Sequence, residues 1–310
     1  MRDGYVLRSP VEADLPAVAE AVSAAERASD PTAAARTVAG FRHEWASLDL
    51  ARDVWVVTGP DGEVCGYGQV GGVREGRVIG DAYTRPGHLG QGVGTALLTR
   101  MEARAAELPR PVVLVNYVLL DGAADRMLRA RGYARTRVHQ RMRIAVDGPR
   151  ERPVWPDGVT VRSCDGTSED LLRVHECAED SFGDRWGHAP RSYDEWAADL
   201  LYEAFDPDLW LLAERDGRTV GVALCQLREV EGRPAGEVSQ LGVRREARRL
   251  GLGRSLLLAS FALFAGRGID SVGLDVDSTS PTGAHRLYER VGMKTTTGIA
   301  QFERALSTDG

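Results

Sequence analysis

Cysteine is scarce and scattered in this chain of 310 residues. Cys65, Cys164, Cys177 and Cys225 form no Cys-x-x-Cys pair and no tight framework, which argues against a disulfide scaffold, a zinc ribbon or dithiol redox chemistry. They read as small buried hydrophobes. The six histidines are equally dispersed, with no His-Glu-x-x-His and no Cys/His ligand spacing, so no metal is expected. No uninterrupted apolar stretch approaches the ~20 residues that a membrane helix needs. The opening segment, Met1 to Pro10, carries charge at once and lacks the apolar core of a secretory signal. Basic charge is not in excess either: 39 Lys and Arg stand against 45 Asp and Glu, a net charge of -6. That balance argues against a nucleic-acid partner or an anionic membrane, and the expected setting is cytoplasmic.

What is present is a duplication. Asp3-Gly4 and Arg8-Ser9 recur as Asp157-Gly158 and Arg162-Ser163. Asp53-Val54-Trp55, Asp61-Gly62 and Gly66 recur as Asp208-Leu209-Trp210, Asp216-Gly217 and Gly221. Gly90-Gln91-Gly92-Val93-Gly94 recurs as Arg249-Leu250-Gly251-Leu252-Gly253. The offset grows from 154 residues at Asp3 and Asp157 to 159 at Gly92 and Gly251, as expected when insertions fall in loops. The length suits two domains of about 150 residues each. Between the copies, Asp147 to Pro156 holds three prolines among charges and reads as a linker. The expected domains are therefore 1–146, a linker over 147–156, and 157–310.

Each copy follows one coarse order. In the second, a short strand (159–162) precedes helical stretches through Trp196 and Leu201. A hairpin follows, 209–213 and 219–227 about the turn at Asp216-Gly217. A strand over 237–243 leads into the glycine loop, and a helix over 254–265 carries Leu257, Phe261 and Phe264 at helical spacing. Then come a strand (272–276), a helix (282–291) and a closing strand (296–305). Hairpins followed by strand–helix alternation imply an α/β or α+β mixed sheet with helices on both faces.

The glycine loop is the chemical signal. Glycines at a helix start let backbone approach a ligand, and the first helical N–H groups lack internal acceptors. Those donors and the helix dipole suit a pyrophosphate, with Arg248, Arg249 and Arg254 adding charge. No Gly-Lys-Ser/Thr follows, which excludes a Walker loop, and the third spaced glycine and βαβ opening of a dinucleotide fold are missing. Arg248-x-x-Gly251-x-Gly253 resembles the pyrophosphate motif of the GNAT superfamily of N-acetyltransferases. Pro281 to Met293 resembles that family's second signature, in the same order and at the usual separation. The resemblance covers nearly all of the second copy and, more loosely, the first, and the doubled layout is similar to that of tandem GNAT enzymes of the mycothiol synthase type.

The resemblance implies two tandem GNAT acyltransferase folds, each a mixed, mostly antiparallel sheet, and acetyl-coenzyme A as cosubstrate, without a metal. It implies a cleft where the fourth and fifth strands splay, with the cofactor arm along Leu241, Gly242 and Val243 and the pyrophosphate on Arg248, Arg249, Leu250, Gly251, Leu252, Gly253, Arg254 and Ser255. Ser280 stands where the family often has an Asn. Acetyl transfer to an amine needs a proton acceptor, an oxyanion donor and an acid for the departing thiolate. Glu237 matches the family's glutamate base, and Tyr288 its tyrosine acid, a phenol that keeps its proton at neutral pH. Leu241 and Gly242 supply the nearest backbone N–H. Period-2 alternation places Glu237, Ser239, Leu241 and Val243 on one face. The acceptor is expected against Phe182, Asp184, Trp186, His188, Tyr193 and Trp196, with Ser239 assisting.

In the first copy the same offsets replace Arg248 by Leu89, Glu237 by Val78 and Tyr288 by Leu128. Gly90, Gln91, Gly92, Val93, Gly94 and Thr95 remain a second candidate cofactor loop, but the proton-handling groups are gone, so this domain is expected to be catalytically silent. The expected activity is acetylation of a primary amine on a small molecule by direct attack, by a monomer or homodimer. An aminoacyl-sugar acceptor and a non-catalytic acyl-coenzyme A sensor stand as alternatives.

Overall fold

A computed structural model of the chain describes residues 1–31, 33–74, 76–108, 112–148, 151–183, 189–201, 205–278 and 283–306. The first copy contributes β1 (Val6–Arg8), α1 (Leu15–Ser29), α2 (Val38–Trp45), β2 (Val54–Thr58), β3 (Val64–Arg74), β4 (Arg77–Thr84), α3 (Val93–Ala106), β5 (Val112–Leu119), α4 (Ala123–Ala130) and β6 (Ala134–Ala145). The second contributes β7 (Thr160–Ser163), α5 (Ser168–Phe182), α6 (Tyr193–Leu200), β8 (Leu211–Arg215), β9 (Arg218–Val230), β10 (Arg233–Val243), α7 (Leu252–Gly266), β11 (Ser271–Asp277), α8 (Ala284–Arg290) and β12 (Lys294–Leu306). No helix among the described residues is long and apolar enough to cross a membrane.

The chain divides into unit 1, Met1–His139 with Thr297–Gly310, and unit 2, Gln140–Thr296. The division does not follow chain order. Strand β12 pairs antiparallel with β5, from Ile299 opposite Leu119 to Leu306 opposite Val112, and Ala300 and Phe302 are fully buried in the unit 1 core. In unit 2, the second half of β6 lies beside β11, and Met142 and Val146 enter that unit's core. The strand order is β1-β2-β3-β4-β5-β12 in unit 1 and β6-β11-β10-β9-β8-β7 in unit 2.

In each unit the hairpin pairs are antiparallel and one central pair is parallel, β4 with β5 and β10 with β11. Glycines report which helix covers which face. A Cβ on Gly66 or Gly68 would meet Val93 or Leu97 of α3, and one on Gly221 would meet Leu252 and Leu256 of α7. The opposite face of unit 1 carries α1 and α2, with Trp45 stacked on Tyr67 and Phe41 edge-on to it. On unit 2 that face carries α5 and α6.

Local signals fix the helix ends. Thr167 caps α5 by accepting from the Asp170 N–H, and Ser192 and Glu195 form a capping box on α6. The first strand of each copy is tied to its first helical turn in the same way: Arg8 grips Asp14 at 2.7 and 2.8 Å, and Arg162 grips Asp170 at 2.5 and 2.7 Å. Arg162 also reaches Glu214 at 2.9 Å. Hydrogen bonding from Arg162 lowers the Asp170 carboxyl to about 2.

Strand β10 contains the departure from simple alternation. Val238 pairs with Cys225 and Gln240 with Leu224, so Ser239 is an inserted bulge residue. Its effect is visible on either side. A Cβ on Gly236 would stand 2.6–2.7 Å from the Phe264 ring of α7, whereas one on Gly242 would stand 3.0 Å from Ser181 Cβ of α5. Six residues apart, strict alternation would point both the same way; the bulge turns them to opposite faces.

Two predictions follow from these contacts. Gly236→Ala should cost about 1–3 kcal/mol by overpacking and be relieved by Phe264→Leu, whereas Gly242→Ala should be relieved by Ser181→Gly and not by Phe264→Leu; denaturant melts of the double variants decide. Because the Asp170 pKa is depressed on folding, its stabilisation is complete above the ordinary Asp range and drains away as pH falls from about 4 toward 2. Asp170→Asn should therefore be less stable at neutral pH and lose less on acidification, as followed by circular dichroism.

Candidate active site

Parallel pairing between β10 and β11 is limited to Gly236 with Val272 and Glu237 with Gly273. Beyond those rungs both strands continue, β10 to Val243 and β11 to Asp277, with pairing on the β10 side retained only toward β9. A wedge therefore opens immediately after Glu237, and one backbone edge of 238–243 faces it.

Glu237 lies opposite Gln226 of β9 and, being adjacent to Gly236, points to the α5 face. Burial pushes its carboxyl pKa up; Arg228 opposes this, Asp275 adds to it, and Arg141 and Arg143 oppose it more weakly. Ser239 accepts a hydrogen bond from the Gln226 amide at 2.6 Å, which places the bulge hydroxyl on the same face. Leu241 and Val243 lie on the other face, packed against the α7 core. The expectation that all four share a face is therefore corrected: the bulge leaves Glu237 and Ser239 with α5 and turns Leu241 and Val243 to α7. A second correction follows in unit 1. Gln226 corresponds to Gly71, and Gly71 pairs with Ile79, so Ile79 is the counterpart of Glu237; Val78 is buried beneath α3.

At the far end of β10 the glycine loop has the conformation its residues demand. Arg249 (φ 66°) and Gly251 (φ 82°) are left-handed, and Gly251 caps α7. The first helical bond runs from the Ser255 N–H to the Gly251 carbonyl at 3.1 Å, so the amides of Leu252, Gly253 and Arg254 precede it and have no helical acceptor. Leu252 is buried and Leu250 is exposed. Arg248 braces the loop, donating to the Val243 carbonyl at 3.2 Å and the Ser181 carbonyl at 2.9 Å. Arg254 is clasped by the Glu151 carboxylate, and the Ser255 hydroxyl donates to the Val154 carbonyl. Arg254 and Ser255 thus anchor the segment preceding β7, a link that motif spacing did not reveal.

Tyr288 is buried in α8 within the unit 2 core, on the α7 side, where Leu287 comes within 3.7 Å of a Cβ on Gly253. Phe182 and Tyr193 pack against the same core, and Trp196 is fully buried between Tyr193, His175 and Trp210. Trp196 is thereby a core residue beneath α5 and α6. Asp184, Trp186, His188 and Ser280 lie outside the described residues. All four cysteines are buried and unbridged, and burial pushes Cys177 up to about 11 and Cys225 to about 12, which removes them as nucleophiles.

Unit 1 repeats the scaffold with different chemistry. Gly90 (φ 74°) and Gly92 (φ 83°) match Arg249 and Gly251, but Leu89, where Arg248 stands in unit 2, is exposed and has no donor to brace the loop. Gly92 lies against Met1, Arg2 donates to the Gln91 carbonyl at 3.0 Å, and a groove of about 440 Å³ runs past Thr95 along α3. Val93 is buried, and a Cβ on Gly94 would meet Thr84 at 3.6 Å. Leu128 occupies the Tyr288 position, each accepting through its carbonyl from the N–H five residues on. Tyr133 is tied to Glu102 at 3.1 Å. Sequence reading missed a polar network beyond the unit 1 wedge. Trp45 donates to the Tyr67 hydroxyl at 3.0 Å, Tyr67 to Gln69 at 2.5 Å, and Gln69 reaches Glu44 and Asp81 at 3.5 Å each. Burial raises the Asp81 and Tyr83 pKa values. The signal was the cross-strand pairing of Gln69 with Asp81 and Tyr67 with Tyr83, which needs the register to be known.

The profile of the Acetyltransferase (GNAT) family matches residues 15–136 and 171–293, once over each copy. The chain belongs to that family. Among its GNAT relatives, a mycothiol acetyltransferase of Thermomonospora curvata is 34% identical over 236 residues, covering 75% of this chain and 76% of that one. The crystal structure of a GCN5-related N-acetyltransferase from Sphaerobacter thermophilus superposes with a TM-score of 0.79 at 30% identity, covering 98% of this chain and 96% of that chain. A tandem GNAT protein from the clavulanic acid biosynthesis pathway shares the fold at a TM-score of 0.75 and 16% identity, over 97% and 98% of the two chains. This GNAT chain is thus an acetyltransferase of the tandem type, and GNAT acetyltransferases draw their acetyl group from acetyl-coenzyme A.

Proposed function

We propose that unit 2 transfers acetyl from acetyl-coenzyme A to a primary amine of a small molecule by direct attack, and that unit 1 is catalytically silent. The observation that carries this reading is the position of Glu237. It is a half-buried carboxyl with a raised pKa at the last paired rung before β10 and β11 part. The donor's fit rests on two features already described, the one-sided edge over Leu241, Gly242 and Val243 and the left-handed loop with its unaccepted amides over Leu252, Gly253 and Arg254. Six residues of strand separate Glu237 from Val243, roughly 20 Å at ~3.3 Å per residue. That span keeps an anionic anchor at the loop well away from the reacting end.

In this reading the amine lone pair attacks the thioester carbonyl, an N–C bond forms and the C–S bond breaks. Glu237 accepts the proton leaving the nitrogen, and the Tyr288 phenol supplies a proton to the departing sulfur. A backbone N–H from the splayed part of β10, at Leu241 or Gly242, donates to the carbonyl oxygen as it gains charge. Arg248 holds the loop, and Ser239 steadies the acceptor beside Glu237. The silence assigned to unit 1 is supported by Ile79, Leu128 and Leu89 at the positions of Glu237, Tyr288 and Arg248. A second reading, an aminoacyl-sugar acceptor as in a mycothiol synthase-like enzyme, is favoured by the 34% identity to a mycothiol acetyltransferase.

A thiol-release assay over an amine panel tests the reading. Glu237→Gln and Tyr288→Phe should each lower kcat by about 100-fold or more, within the usual range for a lost proton-transfer group. The double variant should show no amine-dependent release. Residual turnover at more than a few per cent would place catalysis outside these two groups, unit 1 included. Because burial raises the Glu237 pKa, the base form is lost at a higher pH than for an exposed glutamate. The rate should climb as pH rises through that shifted value, and the limb should vanish in Glu237→Gln.

A further inference from the structure

The bulge in β10 does more than part Glu237 from the last residues of the strand. In unbroken alternation Ser239 and Gln240 would project to opposite faces. Ser239 is instead met on the α5 face by the Gln226 amide at 2.6 Å. From Gln240 to Val243 the register with β9 is regular. Gly242 points at Ser181 of α5, so Gln240, two residues before it, projects to the α5 face as well. Two consecutive polar side chains therefore stand together beyond the last paired rung, next to Glu237. Bulges recur beside active sites, where they re-aim a side chain.

The hydrogen bonding of this pair is incomplete. The Gln240 Oε1 atom is buried, and no donor among the described residues reaches it. Its cross-strand neighbour is Leu224, a buried side chain with nothing to donate. Counted from the corresponding Gly66 and Gly221, Gln69 and Asp81 hold the same places in unit 1, and there the pair is closed: the Gln69 amide reaches Asp81 at 3.5 Å. Ser239 accepts from Gln226 and, among the described residues, gives its own proton to none. A buried acceptor that the protein leaves without a donor is costly, and this one stands beside the wedge, where an arriving group can complete it.

We propose that Gln240 is a specificity residue for the acceptor: its carboxamide oxygen accepts a hydrogen bond from an uncharged O–H or N–H beside the reacting amine, and the Ser239 hydroxyl donates to the same group. This rests on the reading of unit 2 as an amine acetyltransferase with Glu237 as base. It names the acceptor class as amines that carry a hydroxyl or an amide N–H. Gln240 lies three residues beyond Glu237, at most about 10 Å along a strand that rises ~3.3 Å per residue. The group it reads is thus a few bonds from the attacking nitrogen. An acceptor without that group leaves the oxygen unpaired in the complex, which is how a polar site rejects a close analogue.

The test pairs ethanolamine with 2-methoxyethylamine and glycinamide with glycine N,N-dimethylamide, using full-length protein and acetyl-coenzyme A. One member of each pair keeps the donor and the other lacks it, and the two pairs separate a hydroxyl from an amide source. For the preferred pair, the donor-bearing amine should exceed its blocked analogue about tenfold or more in kcat/KM. Gln240→Met, close in size and without the oxygen, should bring that ratio near one by slowing the donor-bearing amine alone. Gln240→Glu, which keeps an acceptor oxygen, should hold much of the preference. Because no protein group holds the oxygen, Gln240→Met should unfold at no lower denaturant concentration than the wild type; a clear loss overturns the inference. If blocked amines serve as well, or Gln240→Met slows both members alike, Gln240 does not read the acceptor, while acetyl transfer to amines stands. If no amine is acetylated, calorimetric titration of the coenzyme A-saturated protein with the same amines decides. Donor-selective binding that Gln240→Met abolishes keeps the site and removes the amine-acetylating reading. Binding without that selectivity, or no binding, overturns the site.

Discussion

A parallel strand pair that stops after Glu237 and Gly273 leaves the backbone of β10 beyond them with partners on one side alone. Unsatisfied edges inside a protein are expensive, so a strand is left in that state only where something else will take up its groups. The wedge, the loop at its far end and the helix that receives the loop all depend on this early termination. The bulge at Ser239 is its complement. It lets one strand present a carboxylate to the α5 side and then seal its last residues against α7, giving a polar end and a packed end within a single element.

Much of this was legible in the sequence. The duplication, the hairpins, the glycine loop and the helix after it each leave a local pattern, in turn residues or in 3.6-residue spacing, and the structure reproduces the same left-handed positions in both loops. The bulge leaves no such pattern. Glu237, Ser239, Leu241 and Val243 form a regular odd-numbered series, and one inserted residue changes its meaning without changing its composition. The counterpart of Glu237 was shifted for the same reason, because constant offset selects Val78 where strand register selects Ile79. The destination of the closing strand was equally hidden: β propensity says that 296–305 is extended, not which sheet it joins. Trp196 shows a different limit, since an aromatic rich in contacts looks the same in sequence whether it faces a ligand or the core.

The two units also show how one scaffold diverges. Their loops, glycine contacts and arginine–aspartate ties are nearly superimposable in pattern, and these are the features that backbone geometry dictates. The differences fall on side chains beside the wedge. Around Glu237 unit 2 sets Arg228, Arg141, Arg143 and Asp275; unit 1 gathers carboxylates, tyrosines and a glutamine around Arg36, which meets Glu44 at 2.5 Å. Fold has been held while the charged groups beside the wedge have changed.

The exchange of strands between chain order and unit order bears on how the protein is made. Residues 299–306 supply the antiparallel neighbour of β5 and bury Ala300 and Phe302 in the unit 1 core. On a ribosome those residues emerge after the rest of both units. The amino-terminal unit must therefore wait, with a strand edge and an apolar slot open, until unit 2 has been synthesised, although domains ordinarily fold in the order of their synthesis. A strand translated after unit 2 thus completes the first unit to emerge, and a chain cut short before Gly298 would leave its beginning unfinished.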